Sequence, residues 1–127
     1  MPTAKQLSIR ALDRPGTLAR VAEILAKNKI NIQGINASGA QARIRLLVNN
    51  PARAARALKQ AKIPARLEDV VVVNLADRPG TLARAARKLA NRRLNINFAY
   101  GTVARGGKRA AIVFGVRNAR RAARILG

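Results

Sequence analysis

Asp13-Arg14-Pro15-Gly16-Thr17-Leu18-Ala19-Arg20 returns unchanged as Asp77-Arg78-Pro79-Gly80-Thr81-Leu82-Ala83-Arg84, 64 positions further along a chain of 127 residues. The match continues at that offset through Leu25-Ala26 against Leu89-Ala90. It ends with Ile30-Asn31-Ile32 against Leu94-Asn95-Ile96, 13 identities over the 20 positions from Asp13 and Asp77. The chain is therefore a module written twice, and a duplication of this kind has to be recognised before any fold is assigned. We place the modules at 1–68 and 69–127.

Outward from the repeated octapeptide the pattern is regular. Before it, Leu7, Ile9 and Ala11 alternate with Ser8 and Arg10, the period of a half-buried strand with Ser8 and Arg10 toward water. After it, Leu18, Val21, Ala22 and Leu25 follow the i, i+3, i+4, i+7 spacing of an amphipathic helix, closed by Lys27-Asn28-Lys29. A strand from Ile30 to Ala37, a turn at Ser38-Gly39-Ala40 and a strand with Ala42, Ile44, Leu46 and Val48 inward make a hairpin. Asn50-Pro51 reads as an N-cap followed by proline at the first helical position, and Pro64 leads into a further extended segment.

The second copy repeats this as strand 70–76, helix 81–92, strands 94–102 and 108–116 about an Arg105-Gly106-Gly107 turn, and helix 118–126. The sequence ends there, so the second module is expected to lack its last strand. Residues 65–76 should run as one nearly continuous strand. The order predicts an α+β fold of two tandem ferredoxin-like βαββαβ modules, each an antiparallel sheet with its helices on one face. Val70-Val71-Val72-Val73 and Ile112-Val113-Phe114 are apolar on both faces. That pattern belongs to a sheet covered on both sides, and it predicts a homodimer through the second module's sheet.

Composition narrows the chemistry. Cysteine and histidine are both absent and only five residues are acidic, so thiolate, imidazole and metal-assisted catalysis lack their participants. Glu68 and Asp69 are neighbours on a strand and point to opposite faces. We therefore expect no enzyme activity, no cofactor and no metal. No stretch is apolar enough to span a membrane, and the first residues lack a signal core, so a cytoplasmic protein is expected. Net charge is +21, divided as +10 in residues 1–64 and +11 in residues 65–127. The charge covers the modules themselves and reads either as a solvated surface or as a layer attracting nucleic-acid phosphates or other polyanions. Base stacking would need aromatic side chains, and the chain has Phe98, Tyr100 and Phe114 alone.

The octapeptide itself opens a helix without the usual acidic cap. Arg20 and Arg84 stand where a capping box would place Glu or Gln. The N–H groups of Thr17, Leu18 and Ala19 are left to bind an anion, or the segment is an ordinary strand-to-helix turn. Asp13 and Asp77 serve equally as turn caps or as ligand contacts.

A strand followed by Asp-x-Pro-Gly-x-Leu-Ala, a helix and then an apolar-Asn-Ile strand resembles the ACT domain, the small ligand-sensing module of amino-acid metabolism. Both copies carry it, Leu12 to Ala19 with Ile30-Asn31-Ile32 and Ala76 to Ala83 with Leu94-Asn95-Ile96. The layout is similar to stand-alone tandem ACT proteins. The resemblance implies a regulatory protein that binds a free amino acid between modules. The loop residues would be Asp13, Arg14, Gly16, Thr17 and Leu18, with Asp77, Arg78, Gly80, Thr81 and Leu82. The facing strand of a neighbouring module would supply Asn31, Ile32 and Gln33, with Asn95, Ile96 and Asn97. Loop N–H groups suit the ligand's carboxylate, and Asp or Asn oxygens suit its ammonium.

Overall fold

The computed structural model describes residues 3–11, 13–103 and 109–127, with side chains at 102 and 103 excepted. Leu12 of the first motif and the Arg105-Gly106-Gly107 turn fall outside the described residues. Ten elements follow in the order β1 (Thr3–Arg10), α1 (Thr17–Lys27), β2 (Ile32–Ser38), β3 (Arg43–Val48), α2 (Pro51–Gln60), β4 (Ala65–Ala76), α3 (Thr81–Asn91), β5 (Ile96–Val103), β6 (Arg109–Val116) and α4 (Ala119–Leu126). They form two compact units, Lys5–Glu68 and Asp69–Gly127, with Thr3 and Ala4 belonging to the second.

In the first unit β3 lies between β2 and β1, antiparallel to both. Leu7 pairs with Leu46 and Ile9 with Ile44, so these four side chains share a face. They are buried against Val21 and Leu25 of α1 and Ala54 and Leu58 of α2, which puts both helices on that face. The second unit repeats the plan, β6 lying between β4 and β5. Its core joins Val71, Val73 and Phe114 to Ala85 and Leu89 of α3 and Ala122 of α4. Residues 65–76 form one twelve-residue strand. The place of a fourth strand in the second unit is taken at its edge by the start of β1, whose Thr3 and Ala4 belong to that unit.

Local chemistry fixes the ends of the helices. Asn50 and Asn118 cap α2 and α4, each side-chain oxygen accepting from an N–H three residues on, Arg53 and Arg121. Helices α1, α2 and α3 close in the same way, with Lys29, Lys62 and Arg93 in the left-handed region at φ 59°, 61° and 59°. The next N–H then returns to a carbonyl of the last turn: Ile30 to Leu25, Ile63 to Leu58 and Leu94 to Leu89, all at 2.9 Å. That is a Schellman closure made without glycine.

The sheet faces away from the helices differ between the units. In the second, Val70 and Val113 are buried, and the ring of Phe98 lies over Gly115 and stacks with Tyr100 at 6.3 Å. In the first, the polar alternation places Ser8 toward water, yet Ser8 is only 2 % exposed. The Arg43 guanidinium covers it, Nη1 donating to Ser8 Oγ at 2.6 Å. A long side chain spread across a sheet buries a short polar neighbour that alternation alone leaves exposed.

Candidate functional site

Each Asp-Arg-Pro-Gly segment joins the end of a strand to a helix, and each glycine is the N-cap. Gly16 has φ 89° and Gly80 φ 91°, values that glycine adopts without a Cβ penalty. Having no side chain, they give no side-chain cap, and neither first turn holds an acidic residue. The first intrahelical bonds run from Arg20 N to Gly16 O and from Arg84 N to Gly80 O. Thr17 N and Thr81 N donate back to Arg14 O and Arg78 O at 3.4 and 3.5 Å. Of the N–H groups expected to await an anion, Thr17 is thus engaged in its turn, and those of Leu18 and Ala19 remain at the positive end of the helix dipole.

Beside the first loop lies a cleft of about 310 Å³ lined by Arg10, Ala11, Arg14, Pro15, Gly16, Thr17, Arg20, Val21, Lys62, Ile63 and Pro64. Four cations border it and no carboxylate does. Arg20 is steadied from the far side, Nη2 donating to Ala61 O at 3.3 Å. Across the loop a second hollow of about 150 Å³ contains Asp13 with Ala37, Ser38, Gly39 and Arg43, sharing Ala11, Arg14 and Thr17 with the first. The loop thus separates a cleft with four cations and no carboxylate from a hollow in which Asp13 lies among Arg14 and Arg43. Leu18 is 43 % exposed and Leu82 51 %, an apolar side chain on each helix's first turn.

The second loop is built alike but filled differently. Thr81 Oγ1 lies 2.8 Å from Ala76 O and 3.1 Å from Arg78 O, so the hydroxyl is spent within the turn. Its cleft, about 250 Å³, is lined by Asn74, Arg78, Thr81, Arg84 and Lys88 with Leu75, Ala76, Ala85 and Leu126, and Asp77 is not among them. A Cβ on Gly80 would come within 3.4 Å of Arg84 Nη1, whereas one on Gly16 would meet nothing within 4 Å. Arg84 folds back toward its own loop and Arg20 does not.

The strand residues implied by the resemblance lie elsewhere. Ser38 pairs with Arg43 beside the first loop, while Ile32 pairs with Val48 at the other end of β2. Asn31, Ile32 and Gln33 are therefore roughly 20 Å along the sheet from Asp13, at about 3.3 Å per residue. In the second unit Ile96 pairs with Val116 and Val103 with Ala110, which sets Asn95, Ile96 and Asn97 equally far from Asp77. A single unit does not bring the two sets together. Gln33 and Asn97 both fall where the register shifts, a β-bulge kept in both copies. Asn95 Nδ2 donates to Asn97 Oδ1 at 3.0 Å, and Asn31 N to Asn49 Oδ1 at 3.0 Å.

Lys62 and Arg10 escape a reading of the sequence as binding residues. Lys62 enters the cleft only because α2 ends in a left-handed residue, and Arg10 only because β1 stops beside the loop. Arg20 had a signal, a cation at the position where a capping carboxylate belongs.

The chain belongs to the ACT domain pair family, whose model matches residues 2–126. It is similar, at 32 % identity over 98 % of its length and 86 % of the other chain, with a TM-score of 0.87, to a crystal structure of a Bacteroides thetaiotaomicron protein. The ligand-free regulatory subunit of aspartate kinase from Thermus thermophilus shares the fold at 22 % identity and TM-score 0.68, with 99 % and 95 % of the two chains covered. E. coli aspartokinase III in complex with lysine and aspartate does so at 16 % and 0.57, over 98 % of this chain and 30 % of that one. No curated protein matches the sequence. Among the described residues no helix is long and apolar enough to cross a membrane.

Proposed function

We propose that this chain is a non-catalytic sensor of a free amino acid, held at the first Asp-Arg-Pro-Gly loop and completed by a strand of another module. The observation that carries this reading is the loop's two-sidedness. Arg10, Arg14, Arg20 and Lys62 border one side with no carboxylate among them, and Asp13 stands on the other with Arg14 and Arg43. An α-amino acid carries a carboxylate and an ammonium on one carbon, so a loop of this form can meet both charges. The lysine and aspartate in the E. coli aspartokinase structure agree with that chemistry. Asn31, Ile32 and Gln33 lie at the far end of their own sheet, so the strand side of the site comes from a neighbouring module. The second loop, with Thr81 engaged and Arg84 folded over it, is the weaker binder.

A second copy of the chain covers the second unit's helix-free face, where Phe98 and Tyr100 are half-buried and stacked. Calorimetric titration with each of the twenty amino acids at moderate salt tests the reading, with sedimentation to fix the assembly state. One or a few amino acids should bind. Silence from all twenty overturns it.

A further inference from the structure

A further feature lies on the helix-free face of the first unit. Arg10, Arg43 and Arg66 border a cleft of about 280 Å³ with Ser8, Pro64 and Ala65. Arg10 and Arg43 are direct cross-strand partners, and Arg45 stands on the same face opposite Ser8. Like charges directly opposed across an antiparallel pair destabilise a sheet. Among the described residues no carboxylate pairs with Arg10 or Arg43. The nearby Glu68 reaches only Arg66, at 3.9 Å, and both side chains are substantially exposed. That contact contributes little.

The duplication supplies an internal control. The counterparts of the Arg10–Arg43 pair are Asn74 and Ala111, and those of Ser8–Arg45 are Val72 and Val113, in the same register on the same kind of strand pair. The fold therefore forms at these positions without any arginine, so the cluster is not a requirement of the sheet. Ser8 Oγ fixes the Arg43 guanidinium at 2.6 Å, holding one fork in place at the wall of the cleft.

We propose that this cleft is a binding site for a phosphoryl group, adjoining the Asp-Arg-Pro-Gly loop's clefts through Arg10 and Arg43 and set apart from them by Ser8 and Arg66, which line neither. Three guanidinium forks offer more donors than a single carboxylate can accept, whereas a tetrahedral oxyanion with two or more negative charges presents acceptors to all of them. The group belongs either to a free phosphate compound or to a nucleic-acid backbone, and the two sources share this chemistry.

Titration with inorganic pyrophosphate at constant ionic strength tests the site. The wild-type chain should bind saturably. Arg66→Ala, which changes a side chain bordering this cleft and no other described one, should weaken binding several-fold, and Ser8→Val/Arg43→Ala about tenfold or more. The double substitution installs residues the second unit already carries there, so folding is retained, as a thermal melt will check. A parallel arm uses oligothymidine: displacement of pyrophosphate, with affinity falling in the same variants, assigns the backbone source, and failure to displace it assigns the free compound. Absence of saturable pyrophosphate binding, or equal affinity in wild type and both variants, overturns the proposal.

Discussion

Asp13 and Gly39 face each other across the end of the first unit's sheet so closely that a methyl group on Gly39 would lie 2.5 Å from Asp13 Oδ1. The β2–β3 hairpin thus sets where the loop's only carboxylate can rest. Gly39 is not in the left-handed region, so alanine there brings no backbone strain. Its effect is confined to moving an exposed, short side chain. Gly39→Ala should therefore change stability by less than about 1 kcal/mol while, in the sensor reading, weakening amino-acid binding through the displaced Asp13. Urea denaturation and calorimetry on the same variant separate the two effects; a large stability loss with unchanged affinity would contradict this account.

Gly16 isolates backbone strain from crowding, because a Cβ there meets nothing within 4 Å and yet φ is 89°. Gly16→Ala should cost about 1–2 kcal/mol, and Gly16→Asn less, since asparagine tolerates that conformation better. Equal losses for the two variants in chemical denaturation would show that the turn relaxes when substituted. In the sensor reading both variants also lose affinity for the amino acid.

The Schellman closures predict gains rather than losses. Lys29 and Arg93 adopt left-handed φ values where glycine is at ease. Lys29→Gly and Arg93→Gly should each raise stability by up to about 1 kcal/mol, the relief at φ > 0 outweighing the entropy glycine adds to the unfolded chain. Because neither residue lines the clefts at the loops, ligand affinity should stay the same. A fall in the unfolding midpoint of either variant would refute the argument.

Much of this architecture was legible in the sequence for a definite reason. The duplicated octapeptide and the periods of 2 and 3.6 around it report local geometry, and strand, turn and helix fell where those periods change. Asn50-Pro51 marked its helix start because the cap bond is three residues long. Two kinds of feature were not legible. The bulges at Gln33 and Asn97 depend on pairing with β3 and β6, which no local pattern encodes. The cleft at the first loop gathers Arg10, Arg20 and Lys62 from three parts of the chain, and its cationic character becomes visible only once β1 and the end of α2 meet there. Ser8 departs from its alternation because that pattern describes which way a residue points, not whether an arginine lies over it.

The contact of Phe98 with Gly115 gives the last prediction, because it ties the apolar face of the second unit to a single missing side chain. A Cβ on Gly115 would fall inside the Phe98 ring, and the two residues are cross-strand partners. Gly115→Ala must drive the ring aside, at a cost of about 1–3 kcal/mol for an overpacked site. Phe98→Ala removes the ring's burial and its stacking on Tyr100. If the clash is the whole cost of the glycine change, then alanine at 115 is harmless once the ring is gone. The double variant should then be no less stable than Phe98→Ala alone, a coupling of about 1 kcal/mol or more in a double-mutant cycle. Additive losses would mean that Gly115 is needed for its backbone instead. Because Phe98 and Tyr100 form the surface assigned to a second copy, Phe98→Ala should also shift sedimentation toward the monomer, whereas Leu46→Ala in the first unit's core should cost about 2–5 kcal/mol and leave any association intact below its melting temperature.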